Sequence, residues 1–326
     1  MTFTTLLKHG VLSMAVVQLL AVSVHGQPTL KPLADPSEPA GLTPKKQRPL
    51  AHICTGKQGN NYHEHGEKIK TRLATTVDVV NISTRGSWEN IERIDKTPRQ
   101  CDAIIAQEDA YLLHQFEKPD SNLTMNRMAT LYPEYVHLLC NRQVKGRYLH
   151  DVDPKKYPII TNEYGSGSYI TWRLFRRLNP QYKKFQVVEK SVDEAMLSVV
   201  DDSRPACFFF VSGLGGRTLQ TADQTFGDAL RLVGIDDPKL YRPLGREKRR
   251  VYRGAVIPDG WYRTLGGGGL KTPVVDAVFF VSPEWKARYP KGAAGMAELM
   301  LKMMIEQRRK KPTQTVSPAA APAPND

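Results

Sequence analysis

Two glycine-rich turns hold the residues best suited to grip a small charged group. The first is TGKQGNNY, Thr55 to Tyr62, and the second is YGSGS, Tyr164 to Ser168. Each lies between an apolar run and an amphipathic helical pattern. A glycine-rich turn from strand into helix leaves backbone N–H groups unpaired at the positive end of the helix dipole, which suits a carboxylate or a phosphate. Glycine also punctuates many ordinary loops, so one such turn says little. Two in one chain imply two facing lobes that hold one ligand.

Further polar residues cluster at the ends of strand-like runs, in STRGSWEN (Ser83 to Asn90) and AQEDAY (Ala106 to Tyr111). Ligands of open parallel sheets bind at the carboxyl ends of the strands. Thr55, Asn60, Ser87 and Gln107 offer hydrogen bonds there, and Lys57 and Arg85 could meet an anion. Glu108 or Asp109 could receive an amine or cap the following helix. On the second side, Ser166 and Ser168 fit a helix start that binds an anion or caps itself. Gly213, in FFFVSGLGGRTLQ, would let backbone approach the ligand. The SGLGG spacing is not G-x-G-x-x-G, and no acidic residue follows at the end of a next strand, which argues against a dinucleotide site. His63, Glu64 and His65 are adjacent on a helical pattern, whereas metal-binding pairs favour i,i+4. There is no Walker loop, G-x-S-x-G elbow or H-E-x-x-H motif, and nothing nominates a nucleophile with its base. No catalytic residue, metal or cofactor is expected.

The elements that must position these residues alternate. Strand-like runs (HIC, VDVVNIS, CDAIIAQ, YVHLLC, YPIITN, FQVVEK, ACFFFV and Ala277 to Val281) are mostly separated by helical patterns, which argues for parallel sheets in an α/β fold. After Gly59, apolar Tyr62, Ile69 and Leu73 mark one helix. After Ser168, Ile170, Leu174 and Leu178 mark another. A last helix starts near Pro283 and Glu284, with Met296, Leu299, Met300 and Met303 as its buried stripe.

Residues 1–26 read as a secretory signal peptide: Lys8, then the apolar stretch VLSMAVVQLLAVSV, then small residues Val24 and Gly26 before Gln27. Residues 27–50 read as a flexible leader and 308–326 as a disordered tail. No later run reaches the about 20 apolar residues needed to cross a bilayer, so an exported protein is expected, in the periplasm of a Gram-negative host. The formal charge of +13 gathers at Arg246 to Arg253, at Arg308 to Lys311 and around Arg173, Arg176 and Arg177. Nucleic acid is an improbable partner for an exported chain, and a solvated basic face is the plainest reading. Cys54, Cys101, Cys140 and Cys207 permit disulfides in three pairings, between which the sequence does not choose.

The motifs in order resemble the TAXI-type solute-binding receptors of tripartite ATP-independent periplasmic (TRAP) transporters. From about His52 to Met304, TGKQGNNYH is similar to that family's TGGTGGxYY-like turn, and TRGSWEN to its TGGSxxN-like loop. CDAIIAQEDAY, LYPEYVHLL, YGSGS, CFFFVSGLGGRTLQ, VIPDGWY and VVDAVFFVSPEW match later segments. The resemblance implies an α/β, type II periplasmic binding protein, each lobe a mainly parallel sheet flanked by helices and joined to the other by a hinge. Lobe one would span 51–138 and 251–307, and lobe two 139–250. It implies a monomer that closes on a small organic solute, a carboxylate or an amino acid, and hands it to a TRAP-type permease without catalysis. Carried over by motif, the binding positions are Gly56, Gly59, Asn60, Tyr62, Ser87, Gln107, Asp109, Gly165, Ser166, Gly167, Ser168 and Gly213, to which the chemistry above adds Thr55, Lys57 and Arg85. Lys57, Gln58, Arg85, Glu108, Gly215 and Gly216 depart from the family pattern. Two other readings stand beside this one: an exported sensor or interaction protein on the same fold, and an enzyme on a bilobal scaffold.

Overall fold

The computed structural model describes residues 47–245 and 248–310, with side chains through Glu306. The expected signal peptide, all of the leader before Gln47 and the tail from Lys311 lie outside the described residues, as does part of the basic run at Arg246 and Glu247. Ten strands and eight α-helices are numbered in chain order. The strands are β1 (Leu50–Cys54), β2 (Asp78–Ile82), β3 (Ala103–Gln107), β4 (Asn126–Asn141), β5 (Ile159–Asn162), β6 (Val187–Lys190), β7 (Cys207–Ser212), β8 (Leu230–Val233), β9 (Arg253–Val256) and β10 (Lys271–Val281). The helices are α1 (Asn61–Leu73), α2 (Ser87–Asp95), α3 (Glu108–Glu117), α4 (Gly167–Leu178), α5 (Val192–Val200), α6 (Arg217–Phe226), α7 (Pro283–Arg288) and α8 (Pro290–Lys310).

The fold is mixed α/β, and hydrogen bonding links the strands in the order β2-β1-β3-β10-β4-β7-β5-β6, with β8 on β4 and β9 on β10. The flanks are parallel: β1 with β2 and β3, and β5 with β6 and β7. The centre is antiparallel, because β10 runs against β3 and β4, and β4 runs against β7. β3 (AIIAQ) is buried at every position, the pattern of a strand covered on both faces. β4 is the crossing strand. Asn126 to Tyr135 pair with β10, and Tyr135 to Cys140 pair with β7, so the chain passes from one half to the other within a single extended element.

Apolar packing follows the same division. Ile53, Ile69, Leu73, Ile105, Phe279, Met296 and Met300 fill the space between the first-half strands and helices α1 and α8. Ile160, Ala195, Phe208, Leu219 and Leu232 do the same for the second half with α5 and α6. A third cluster runs through both halves, from Cys54, Trp88 and Ile104 across Leu138 to Ile159, Trp172 and Phe209. The halves are therefore tied by sheet and by core, not by a hinge segment alone.

Two sequence expectations change, and the open choice of cysteine pairing is resolved. Ile257, Tyr262, Leu265 and Leu270 pack into the second-half cluster, so the chain returns to the first half in β10 and not at residue 251. The last helix is two helices, because Pro290 has no N–H to continue α7; Met296, Met300 and Met303 are buried on α8, which runs to Lys310. The cysteines pair Cys54 with Cys101 and Cys140 with Cys207, the second joining directly opposed residues of β4 and β7.

Candidate functional site

All six helices from α1 to α6 start at the wall of one cavity of about 410 Å³. Gly56 to Tyr62 contribute the start of α1, Gly86 and Ser87 that of α2, and Gln107 precedes α3. From the other half come Ser166 to Ser168 at α4, Val192 at α5, and Gly216, Arg217 and Thr218 at α6. The helices α1, α2, α3 and α6 have no side-chain cap. Their first-turn N–H groups and aligned dipoles thus concentrate positive potential around one space, which favours an anion. Phe208, Phe210, Val211 and Val192 add an apolar wall that suits a carbon skeleton.

Eleven of the fifteen residues expected at the site line this cavity: Gly56, Lys57, Gly59, Asn60, Tyr62, Arg85, Ser87, Gln107, Ser166, Gly167 and Ser168. Thr55 lies behind the wall and is fully buried. Its hydroxyl donates to Asn81 Oδ1 at 2.7 Å, and its carbonyl accepts from Asn90 Nδ2 at 2.6 Å, so it holds the turn in place. Asp109 is also buried away from the cavity. It sits in the first turn of α3, which carries its side chain inward to accept from Thr171 Oγ1 at 2.6 Å and Tyr252 OH at 2.7 Å. Burial pushes its carboxyl up to about 6. It joins α3 to α4 and to Tyr252, just before β9, and it cannot receive a ligand amine from there. Its neighbour Glu108 faces Arg249 at 2.6 Å and Arg127 at 3.6 Å. Gly213 is off the wall; its carbonyl accepts from Gly216 N–H at 3.2 Å, and Ser212 and Gly216 take its expected place.

The two halves meet along the rim. Lys57 Nζ pairs with Glu163 at 2.8 Å, from the first turn to the residue before the second. Trp88 donates through Nε1 to Tyr164 OH at 2.9 Å, and its backbone N–H donates to the Gly165 carbonyl at 3.2 Å. Gly165 has φ 92°, a left-handed conformation that places this carbonyl against α2 and favours glycine. Arg85 pairs with Glu89 at 2.9 Å and lies 5.6 Å from the centre of the Tyr164 ring. Lys57 and Arg85 therefore already have carboxylate partners, so neither brings an unbalanced positive charge to the cavity. Arg217 does, because it has no ion pair among the described residues and stands at the positive end of α6.

Sequence reasoning passed over Glu134, in the middle of β4. Its side chain is on the cavity wall and 6% exposed, and Tyr62 OH donates to its Oε2 at 2.9 Å. Burial pushes its carboxyl up to about 8, with the nearby charge of Asp109 adding to the shift. Burial also raises Tyr62 well above its ordinary value, and the Glu134 charge raises it further. The signal was present in the sequence, since LYPEYVHLL places an acid inside an apolar strand. Gln107 is 1% exposed, and its Oε1 has no hydrogen-bond partner. A methyl on Gly167 would stand 1.8 Å from that oxygen, so glycine at the start of α4 lets the two halves close to contact.

A second hollow, of about 450 Å³, lies on α2 and is lined by Arg85, Glu89, Glu92, Arg93, Asp95, Lys96, Gln100 and Lys118. Its charges pair among themselves, as Arg93 with Glu89 and Lys118 with Asp95, and it has no apolar wall. Of the expected basic clusters, Arg173 pairs with Glu117, Arg249 with Glu108 and Arg253 with Asp276. Among the described residues no three His, Cys, Asp or Glu side chains gather as a metal site, and no helix is long and apolar enough to cross a membrane.

Residues 53–289 match the family model described as the NMT1-like family. No curated protein matches the chain. Among solved structures, the chain is similar to lactococcal OpuAC in its closed, glycine betaine-bound conformation, with 12% identity, a TM-score of 0.46 and coverage of 81% of this chain and 91% of that one. It is also similar to the aliphatic sulphonate-binding protein SsuA from Escherichia coli, with 9% identity, a TM-score of 0.47 and coverage of 81% and 76%.

Proposed function

Because the chain belongs to the NMT1-like family, we propose that it is an exported receptor that captures a small organic solute, a carboxylate or an amino acid, in the cavity between its halves. The observation that carries this reading is the convergence of the six helix starts, four of them without side-chain caps, on one cavity. The volume of about 410 Å³ falls near the low end of the roughly 300–1,000 Å³ of small-molecule sites. The contacts of Lys57 with Glu163 and of Trp88 with Tyr164 and Gly165 are those a closed state would make across its rim. In this reading the protein acts in the periplasm as a monomer and passes its solute to a TRAP-type permease, as the TAXI-like motifs imply. It binds without turnover.

Native mass spectrometry of freshly purified protein tests the reading, and the expected result is one small molecule bound per chain. A thermal-shift screen of carboxylates and amino acids should find a solute that raises the melting temperature by mass action. Ser166→Trp, which puts an indole at the cavity wall, should abolish that shift and the binding heat. A protein that carries nothing, and that no solute in the screen stabilises, overturns the proposal.

A further inference from the structure

The wall of this cavity holds groups of two opposite kinds. Helix starts and Arg217 favour negative charge, whereas Glu134 and Gln107 present buried acceptors. Glu134 accepts hydrogen bonds from Tyr62 and from the amide of Gln107, but no cation of the described residues pairs with it. The two cations at the rim, Lys57 and Arg85, are held by Glu163 and Glu89. Gln107 Oε1 is buried without a donor. Without a counter-charge the buried carboxyl is held in its neutral form, and Gln107 Oε1 beside it lacks a donor; a group with several N–H donors and a positive charge would stabilise the carboxylate and satisfy that oxygen.

We infer that the captured solute carries an ammonium group, which Glu134 and Gln107 receive while the solute's acid group lies against the helix starts. The inference rests on the receptor reading and narrows it from organic acids in general to zwitterions. It has a protonic consequence. The titratable groups acting on Glu134 are Tyr62 of α1, Asp109 of α3, Asp276 of β10 and Tyr132 of β4 itself. Asp276 is paired with Arg253 at 2.7 Å, and Asp109 is hydrogen-bonded to Thr171 and Tyr252. None supplies a positive charge to Glu134, so the empty cavity keeps its carboxyl protonated near neutral pH. An arriving ammonium requires the carboxylate, so capture releases that proton to solvent.

The test uses matched pairs in the thermal-shift screen: L-amino acids, each against the carboxylate that lacks the amino group. At least one amino acid should stabilise the protein where its counterpart does not. Calorimetry of that amino acid should show Kd falling about tenfold per pH unit from 6 towards 8, with proton release seen in buffers of different ionisation enthalpy. Glu134→Gln keeps the size of the side chain and a bond to Tyr62, and should weaken binding at least about thirtyfold and remove the pH dependence. Gln107→Met should weaken the amino acid and leave the pH dependence in place. Counterparts that bind as tightly as the amino acids, or an affinity that falls as pH rises, overturn this inference and leave the receptor reading intact. No binding in the whole screen, with nothing carried through purification, overturns both.

Discussion

Glu134 should make the ligand-free protein less stable as pH rises, which is opposite to the usual behaviour of a paired carboxylate. Its folded value is about 8 against an ordinary 4.5, so between those limits the folded chain holds a proton that the unfolded chain has lost. The slope of unfolding free energy with pH follows unfolded minus folded protons and is therefore negative across that window. The full effect of one such group is about 1.4 kcal/mol per pH unit. From pH 6 to 7.5 that amounts to about 2 kcal/mol, or roughly 3–4 °C of melting temperature for a chain of this size. Above the folded value the loss levels off. Asp109 has the same sign, but its window closes near its folded value of about 6. Half-buried His65 and buried His114 and His137 are lowered by loss of solvation, and their contribution runs the other way, below the ordinary histidine value of 6.5. The clean readout is the difference between the wild type and Glu134→Gln, each stripped of ligand and refolded, by calorimetric melting from pH 5.5 to 8.5. The variant should gain on the wild type steadily from pH 6 to 8. Parallel curves would refute the argument, because they would mean that the cavity keeps Glu134 solvated as an ordinary carboxylate.

Three other substitutions probe separate links. Gly167→Ala should drive the Gln107 side chain from its seat, at an overpacking cost of about 1–3 kcal/mol in urea denaturation, because the added methyl would meet Gln107 Oε1. Tyr252→Phe removes one of two side-chain donors to Asp109 and should cost about 1–3 kcal/mol; equilibrium unfolding should show a larger loss at pH 8 than at pH 5, where the carboxyl is neutral. Serine pairs replacing either disulfide should each lower stability by about 2–4 kcal/mol, and dithiothreitol should then have no further effect through the missing bridge.

Much of the fold was legible because strand runs in this chain are short, apolar and bounded by turn residues. HIC, CDAIIAQ and ACFFFV became β1, β3 and β7 with little change. What period and propensity could not give was the length of β4. MNRMATLYPEYV carries charge, proline and no clean alternation, yet from Asn126 to Tyr135 it pairs with β10 across two register shifts. The same blindness hid the return of the chain. Ile257 to Leu270 is a glycine-rich loop by composition, and only tertiary contact shows that Ile257, Leu265 and Leu270 belong to the second-half core.

The candidate site was legible where backbone chemistry builds it and illegible where geometry chooses between neighbours. Glycine and serine at Gly56, Gly59, Ser166 and Ser168 mark strand-to-helix turns in any α/β chain, and these turns line the cavity. Gln107 and Asp109 looked alike as polar residues after a strand, but the first ends β3 facing the cavity and the second lies inside the turn that begins α3. Lys57 and Arg85 looked like charges added to a pocket until Glu163 and Glu89, distant or inconspicuous in the motif, were found holding them. Glu134 was missed for the opposite reason. It resides in a strand, where sequence logic expects packing, and becomes a site residue only because the crossing from one half to the other occurs at the next residue, Tyr135. A carboxyl at the seam between two halves is placed to sense whether they enclose a charge. The pH dependence of the empty protein and that of binding are thus two measurements of one proton.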